Sequence, residues 1–224
     1  YGIGNAKESN APLSFEDMDM GWGTMVYETT VPAIEGTSTL TGEFHDFAQV
    51  YVNGKYVGKI DRVKNEKSLE LPAMPQGANL TIVVEGMGRI NFGRAIKDYK
   101  GIIGNVTISS QKENCEVALT PTLWSNSTIA DDYKTAVNAL ATPTNKMRGL
   151  QSKAGYYRGY FNINKVGDTF LNMEAFGKGQ VYVNGHALGR FWQIGPQQTL
   201  YLPGCWLKKG KNEVIVLDVV GPKG

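Results

Sequence analysis

The sequence contains few of the residues from which metal and catalytic centres are most often built. It has two cysteines, Cys115 and Cys205, and two histidines, His45 and His186. No cluster of them has the ligand spacing of a zinc site, and the acidic residues of segment 16–19 lack the loop of a calcium-binding hand. There is also no phosphate loop and no nucleophile elbow. The sequence therefore predicts no metal, no cofactor and no catalytic residue.

Net charge and long apolar runs are scarce as well. The 23 basic and 21 acidic residues leave a net charge of +2, which is too small to form the basic surface that nucleic acid requires. No apolar run approaches the roughly 18 residues of a transmembrane helix. We therefore expect neither nucleic acid nor a membrane as a partner.

The two cysteines leave two alternatives open. They could form one disulfide in an oxidising compartment, or they could be two free, partly buried thiols. We favour the free thiols, and we predict that neither Cys115 nor Cys205 is needed for folding.

The strongest positive signal is an internal repeat. The hexapeptide Gln-Val-Tyr-Val-Asn-Gly occurs at residues 49–54 and again at 180–185, which is 131 residues later. Two more pairs of segments match in the same order: 69–72 with 200–203, also 131 apart, and 77–85 with 210–218, 133 apart. The period is too long for a solenoid, so it predicts two copies of a whole domain.

Each copy is expected to form a β-hairpin. Val50 and Val52 alternate with Tyr51, which is typical of a half-buried strand, and the following Asn-Gly favours the tight turn of a hairpin. Further strand patterns recur about every ten residues, as in a β-sandwich or jelly roll. We expect a linker at residues 1–11, a first sandwich at 12–110 and a second at 111–224.

One segment departs from the strand pattern. Residues 131–140 place Tyr133, Val137 and Leu140 on one helical face, with acidic residues in the first turn. Pro143 would end this element. A short helix or an irregular excursion is expected here.

Two glycine-rich loops combine an aromatic side chain with polar neighbours. The first contains Arg89, Asn91 and Phe92, and the second contains Arg190 and Trp192. An aromatic ring can stack on the C–H face of a sugar while polar groups bind its hydroxyls, so these residues are candidates for sugar contact. The alternative is that Phe92 and Trp192 are core residues that close the end of a barrel.

Several longer strings resemble a known family. The segments that carry the resemblance in the second half are 170–185, 189–197 and 200–203, and those in the first half are 23–29, 45–54 and 85–93. Together they are similar to the C-terminal β-domains of family 35 glycoside hydrolases, the β-galactosidases. The resemblance extends over about residues 12–220. Phe176 and Tyr182 stand where many members have Trp.

The resemblance implies an all-β chain of two tandem galactose-binding-like jelly-roll β-sandwiches. In this family they follow a catalytic TIM barrel, and both catalytic glutamates lie on barrel strands, so no residue here inherits their roles. The implied partners are the barrel of the same polypeptide and a galactoside. The loop matching that of Phe92 approaches the mouth of the barrel, with an aromatic residue near the galactose. The localisation of the chain stays open, and the implied parent protein is expected to be exported, with a periplasmic, extracellular or lysosome-like location.

The chain begins without Met, and we expect it to be a fragment of a longer polypeptide. Its favoured role is an accessory region that packs on the barrel and completes its rim. Two alternatives stay open: a free-standing carbohydrate-binding module, and domains that serve only structure or oligomerisation.

Overall fold

The structure, a computed structural model, describes residues 3–112, 115–129, 132–141 and 153–222. These divide into two compact units. The first unit consists of the described residues of 3–129, and the second consists of 132–141 and 153–222.

The first unit is an antiparallel β-sandwich. One sheet has the strand order β1-β10-β2-β7-β4-β5 and the other has the order β6-β3-β8-β9. The strands are β1 (Ile3–Ser9), β2 (Gly23–Val31), β3 (Ser38–His45), β4 (Phe47–Val52), β5 (Lys55–Asp61), β6 (Ser68–Leu71), β7 (Ala78–Gly86), β8 (Gly101–Lys112), β9 (Cys115–Leu119) and β10 (Trp124–Ile129).

The core of this sandwich is filled by alternate residues of both sheets. Val50 and Val52 of β4 face Leu40 of β3 and Ile102 of β8 within one buried cluster. Trp124 of β10 is fully buried in the same cluster. Burying a large apolar side chain contributes about 1.5–3 kcal/mol, so this continuous core is the main source of stability for the first unit.

The first unit extends beyond the expected range of 12–110 at both ends. Residues 3–9 were expected to lie in a linker, but they form β1 and pair with β10. Segment 115–129 was expected in the second domain, but β9 pairs with β8 and β10 pairs with β2. The physical reason is that these strands complete the two sheets of the first sandwich, and β10 supplies a central core side chain.

The second unit is smaller within the described residues. Its sheets have the orders β11-β16-β13-β14 and β12-β15. The strands are β11 (Gly155–Ile163), β12 (Thr169–Asn172), β13 (Lys178–Val183), β14 (His186–Trp192), β15 (Thr199–Leu202) and β16 (Gly210–Asp218). Cys205, in the short 3-10 turn after β15, has a free and exposed thiol. The side chain of Cys115 lies outside the described residues.

The expected helix is confirmed as α1 (Tyr133–Ala141). Asp132 caps it, because its carboxylate accepts hydrogen bonds from both the amide and the hydroxyl of Thr135. The three residues expected on one face pack on Tyr182 and Ile215 of the second unit. Within the described part of the chain, no helix combines the length and apolarity needed to cross a membrane.

The duplicated hairpins have the same geometry. Asn53 and Asn184, the first turn residues, both have φ of 49°, and the glycine after each is also in the left-handed region. Each hairpin contains one register shift at the same place, between Val50 and Tyr51 in one copy and between the residues 131 later in the other.

A second strand pair is also duplicated. Leu40 pairs with Leu69 in the first unit, and the two residues that lie 131 positions later pair with each other in the second unit. The repeat is therefore confirmed as a structural duplication.

The last repeated strand differs from the expected alignment by one residue. Val52 pairs with Leu80, whereas Val183 pairs with Val214, so β7 and β16 correspond at an offset of 134 rather than 133. A shift of one residue moves each side chain to the other face of a sheet. Asp218 consequently corresponds to Val84, not to Glu85.

Candidate functional site

The loop between β7 and β8 carries three of the predicted site residues, Arg89, Asn91 and Phe92. All three are exposed, and the Phe92 ring is 88% exposed. This exposure excludes the alternative that Phe92 is a core residue. The loop has almost no regular secondary structure over residues 87–100, so its conformation depends on side-chain contacts.

A buried cluster of charged residues lies at the base of this loop. Lys100 Nζ lies 2.8 Å from Asp46 Oδ2 and 2.6 Å from Asp98 Oδ2. Arg62 contacts the same two carboxylates, with Nη1 2.7 Å from Asp46 Oδ1 and Nη2 2.8 Å from Asp98 Oδ1. The Lys100 side chain is 2% exposed and the two carboxylates 4–5%. Because each charge has two partners of opposite sign, the cluster offsets the cost of burial.

The cluster keeps both carboxylates ionised. Burial would raise the pKa of Asp98, but the hydrogen bonds and positive charges of Arg62 and Lys100 outweigh it and lower the pKa to about 2. Burial likewise opposes ionisation of Asp46, and the same two cations hold its pKa below the usual value.

The cluster joins the two ends of the loop. Asp46 Oδ2 accepts a hydrogen bond of 2.6 Å from the amide of Met87, where the loop begins. Asp98 and Lys100, where the loop ends, are bonded within the same cluster. His45 adds a contact at this end, with Nδ1 2.6 Å from the carbonyl oxygen of Tyr99.

Arg89 holds the middle of the loop against the sandwich. Its Nη1 lies 2.5 Å from Glu16 Oε1, and its Nε donates to the carbonyl of Gly21 at 2.8 Å. The other carboxylate oxygen of Glu16 accepts the amide of Lys100 at 3.1 Å. The guanidinium of Arg89 is thus engaged within the protein, and Phe92 is presented on an anchored loop.

The other two predicted residues lie on strand β14 of the second unit, apart from the first loop in the sequence. Trp192 is partly buried, and Lys178 Nζ lies 4.6 Å from the centroid of its ring. Arg190 pairs with Gln180 across the hairpin. The neighbouring Phe191, not Trp192, is the side chain buried in the core.

The four clustered residues were missed by the sequence analysis. They are spread over 55 positions, and they meet only because β4, β5 and β8 bring their ends together. The one local signal is the alternation of charge at Lys97, Asp98 and Lys100, at the end of the loop. Within the described residues, no group of His, Cys, Asp and Glu side chains could hold a metal ion.

Comparison with known proteins agrees with this architecture. Residues 12–116 match the model of the first all-beta domain of beta-galactosidase, and residues 154–212 match that of its galactose-binding domain. The fold and these matches define a tandem pair of galactose-binding-like jelly-roll β-domains. The chain belongs to the C-terminal β-domains of family 35 glycoside hydrolases, the β-galactosidases.

Full-length relatives are much longer than this chain. It is 29% identical to Beta-galactosidase 1 of Dictyostelium discoideum, over 95% of this chain and 33% of the relative. It is 32% identical to human Beta-galactosidase-1-like protein 2, over 98% of this chain and 34% of the relative. The chain thus spans about a third of these relatives. Among solved structures, a Pleurotus ostreatus lectin in complex with GalNAc aligns at a TM-score of 0.38 and 13% identity, over 98% of this chain and 77% of the lectin.

Proposed function

We propose that this chain is the non-catalytic accessory region of a β-galactosidase that hydrolyses terminal β-D-galactosides. In the complete polypeptide it packs on a catalytic TIM barrel, and the loop of Phe92 completes the rim of the active site. The chain spans about a third of its relatives, and the rest of their length is sufficient for such a barrel.

The exposure of Phe92 is the observation that carries this proposal. A ring that is 88% exposed makes few stabilising packing contacts with its own unit. Its loop is nevertheless held at both ends by the buried ion-pair cluster. Binding residues are often placed on loops that a rigid scaffold positions. The ring offers an apolar face that can stack on a sugar and exclude water, without donating a hydrogen bond.

The first test is kinetic, on the complete polypeptide with Phe92→Ala. Loss of one packing contact with substrate lowers kcat/KM by about 10–100-fold. The melting temperature should stay nearly unchanged, because the ring is exposed. Val166→Ala, which shortens an exposed apolar side chain of the second unit, is the matched control and should change neither quantity. Unchanged kcat/KM in Phe92→Ala would reject the role at the rim.

The second test separates the accessory region from the catalytic one. Hydrolysis by retaining glycosidases requires two carboxyl groups about 5 Å apart, which we assign to the barrel. The isolated 224-residue chain should therefore not hydrolyse a chromogenic β-galactoside. Turnover that persists at constant specific activity through repurification would contradict the assignment.

A further inference from the structure

Each duplicated hairpin turn borders a surface cleft. In the first unit, the amide of Asn53 donates to the carbonyl of Asn79, and the amide of Asn79 donates to Asn53 Oδ1. In the second unit, Asn184 and Glu213 form the same pair of hydrogen bonds. Asn79 and Glu213 are therefore equivalent, and each lines the cleft of its own unit.

The next strand confirms that the two clefts occupy the same place in the fold. Thr30 pairs with Asn79, and Tyr160 pairs with Glu213. Thr30 lines the first cleft and Tyr160 lines the second. Their volumes are also similar, about 430 Å³ and about 400 Å³. Any difference in what they bind must therefore come from their side chains.

The side chains give the two clefts opposite charge. The first cleft is lined by the carboxylates of Glu8 and Glu28, by amides and by hydroxyls, and its described lining contains no basic residue. The second cleft is lined by Lys208 and Lys211 together with two tyrosines, Tyr133 and Tyr160.

The one carboxylate in the second cleft already has partners. Glu213 Oε1 accepts a hydrogen bond of 2.6 Å from the hydroxyl of Tyr133, and Arg158 Nε lies 3.2 Å from Glu213 Oε2. Arg158 thus balances the charge of Glu213. The two lysines leave the cleft with a net positive charge.

One of the two lysines lies beside an aromatic ring. Lys211 Nζ lies 3.8 Å from the centroid of the Tyr160 ring, and this ring is half exposed. Over the described ranges, neither Lys208 nor Lys211 forms an ion pair with an acidic side chain. Ammonium groups beside exposed tyrosines can bind an anionic group while an aromatic ring contacts an apolar face.

We propose that the second cleft binds an acidic saccharide, that is, a sugar that bears a carboxylate or a sulfate. The lysines bind the anionic group, and the Tyr160 ring contacts the C–H face of the sugar. The saccharide class rests on the proposed function of the chain in galactoside hydrolysis. The cleft does not involve the Phe92 loop, so the kinetic test of that loop and the binding test below fail independently.

The test is a titration of the 224-residue chain, followed by NMR chemical shifts and by calorimetry. The probes are digalacturonate and galactose 6-sulfate, with lactose as the neutral comparison. Whichever acidic probe binds identifies the anionic group. We expect millimolar binding that weakens with added salt, with shifts centred on the cleft and little response to lactose.

Variants assign the binding to the cleft. Lys208→Met with Lys211→Met should weaken binding at least about tenfold, which corresponds to 1.4 kcal/mol. Lys209→Met removes an exposed neighbouring lysine that does not line the cleft, and it should have no effect. Tyr160→Ala should weaken binding of the saccharide but not of inorganic sulfate.

Three results would overturn the proposal. One is no binding of either acidic probe at millimolar concentration. Another is equal binding of lactose, since the lysines would then have no role. The third is equal binding of inorganic sulfate and the acidic sugars, which would show an anion site without recognition of a saccharide.

Discussion

Replacing Lys100 with Met is the sharpest test of the buried charge cluster. The substitution preserves most of the side-chain volume and removes the one ammonium group. It leaves Asp46 and Asp98 facing each other, with Arg62 as the remaining partner of both. The central carboxylates would then be buried with half of their compensating charge.

The expected loss of stability follows from the burial. Removing one partner of a buried ion pair typically costs about 3–5 kcal/mol. Arg62, whose side chain is 31% exposed, still neutralises part of the charge, so we expect about 3 kcal/mol, at the low end of this range. For a unit of this size that corresponds to a fall of roughly 10–20 °C in melting temperature.

The measurement is thermal and urea unfolding of the 224-residue chain, following the transition of the first unit. Lys67→Met is the matched control, because Lys67 also forms an ion pair, with Glu43 at 2.7 Å, but its side chain is 65% exposed. An exposed pair contributes only about 0–1 kcal/mol. The control should therefore melt close to the wild-type temperature.

A second substitution tests whether the cost comes from unbalanced charge. Adding Asp98→Asn to Lys100→Met removes one of the two carboxylates and leaves Asp46 paired with Arg62. The double variant should be more stable than Lys100→Met alone, with a coupling of at least about 0.5 kcal/mol. A single variant within about 1 kcal/mol of wild type would refute the argument, as would a double variant no more stable than the single one.

Two further predictions concern the same chain. Asp98 has a pKa of about 2 when folded and about 3.9 when unfolded, so its contribution is present above pH 4. As the pH falls to 2, this contribution to the free energy of unfolding, about 2 kcal/mol, should be lost. Asp98→Asn should therefore flatten the acid limb of the stability curve. Replacing Cys115 and Cys205 with Ser should leave the melting temperature nearly unchanged; a quantitative two-proton loss by non-reducing mass measurement of the wild type, with a lower melting temperature on reduction, would contradict this.

Local patterns in the sequence were sufficient to predict the hairpins. The Asn-Gly turns at Asn53 and Asn184 depend on only two residues each, and the flanking alternation assigns the strands. The helix at 133–141 was also predictable, because its apolar face repeats with helical spacing. These features depend on contacts between residues that are close in sequence.

Features that depend on distant contacts were not predicted. The β1–β10 pairing joins Ser9 to Trp124, and neither segment has a counterpart in the repeat that would have revealed it. The offset of β16 was misjudged because Gly77, just before β7, and Gly210, at the start of β16, both have positive φ. One extra residue separates the second glycine from the equivalent strand position.

In the candidate site, too, the local feature was predicted and the contacts between distant residues were not. The aromatic loop was recognised from Phe92 and its glycines, whereas the carboxylates that hold it were not. Asp46 and Asp98 come together only in the folded sandwich, and four charged residues spread over three segments carry no periodic signal. The sequence alone therefore identifies the presenting loop but not the ion pairs that fix its position.

The place of β10 in the first sheet has a consequence for biosynthesis. Because β10 lies between β1 and β2, β1 has no partner strand in this sheet until β10 has been made. Trp124, a fully buried core residue, is made after nearly all of the strands around it. This sheet is therefore completed only when residues 124–129 have been made, and the edge of β2 that β10 covers stays unpaired until then.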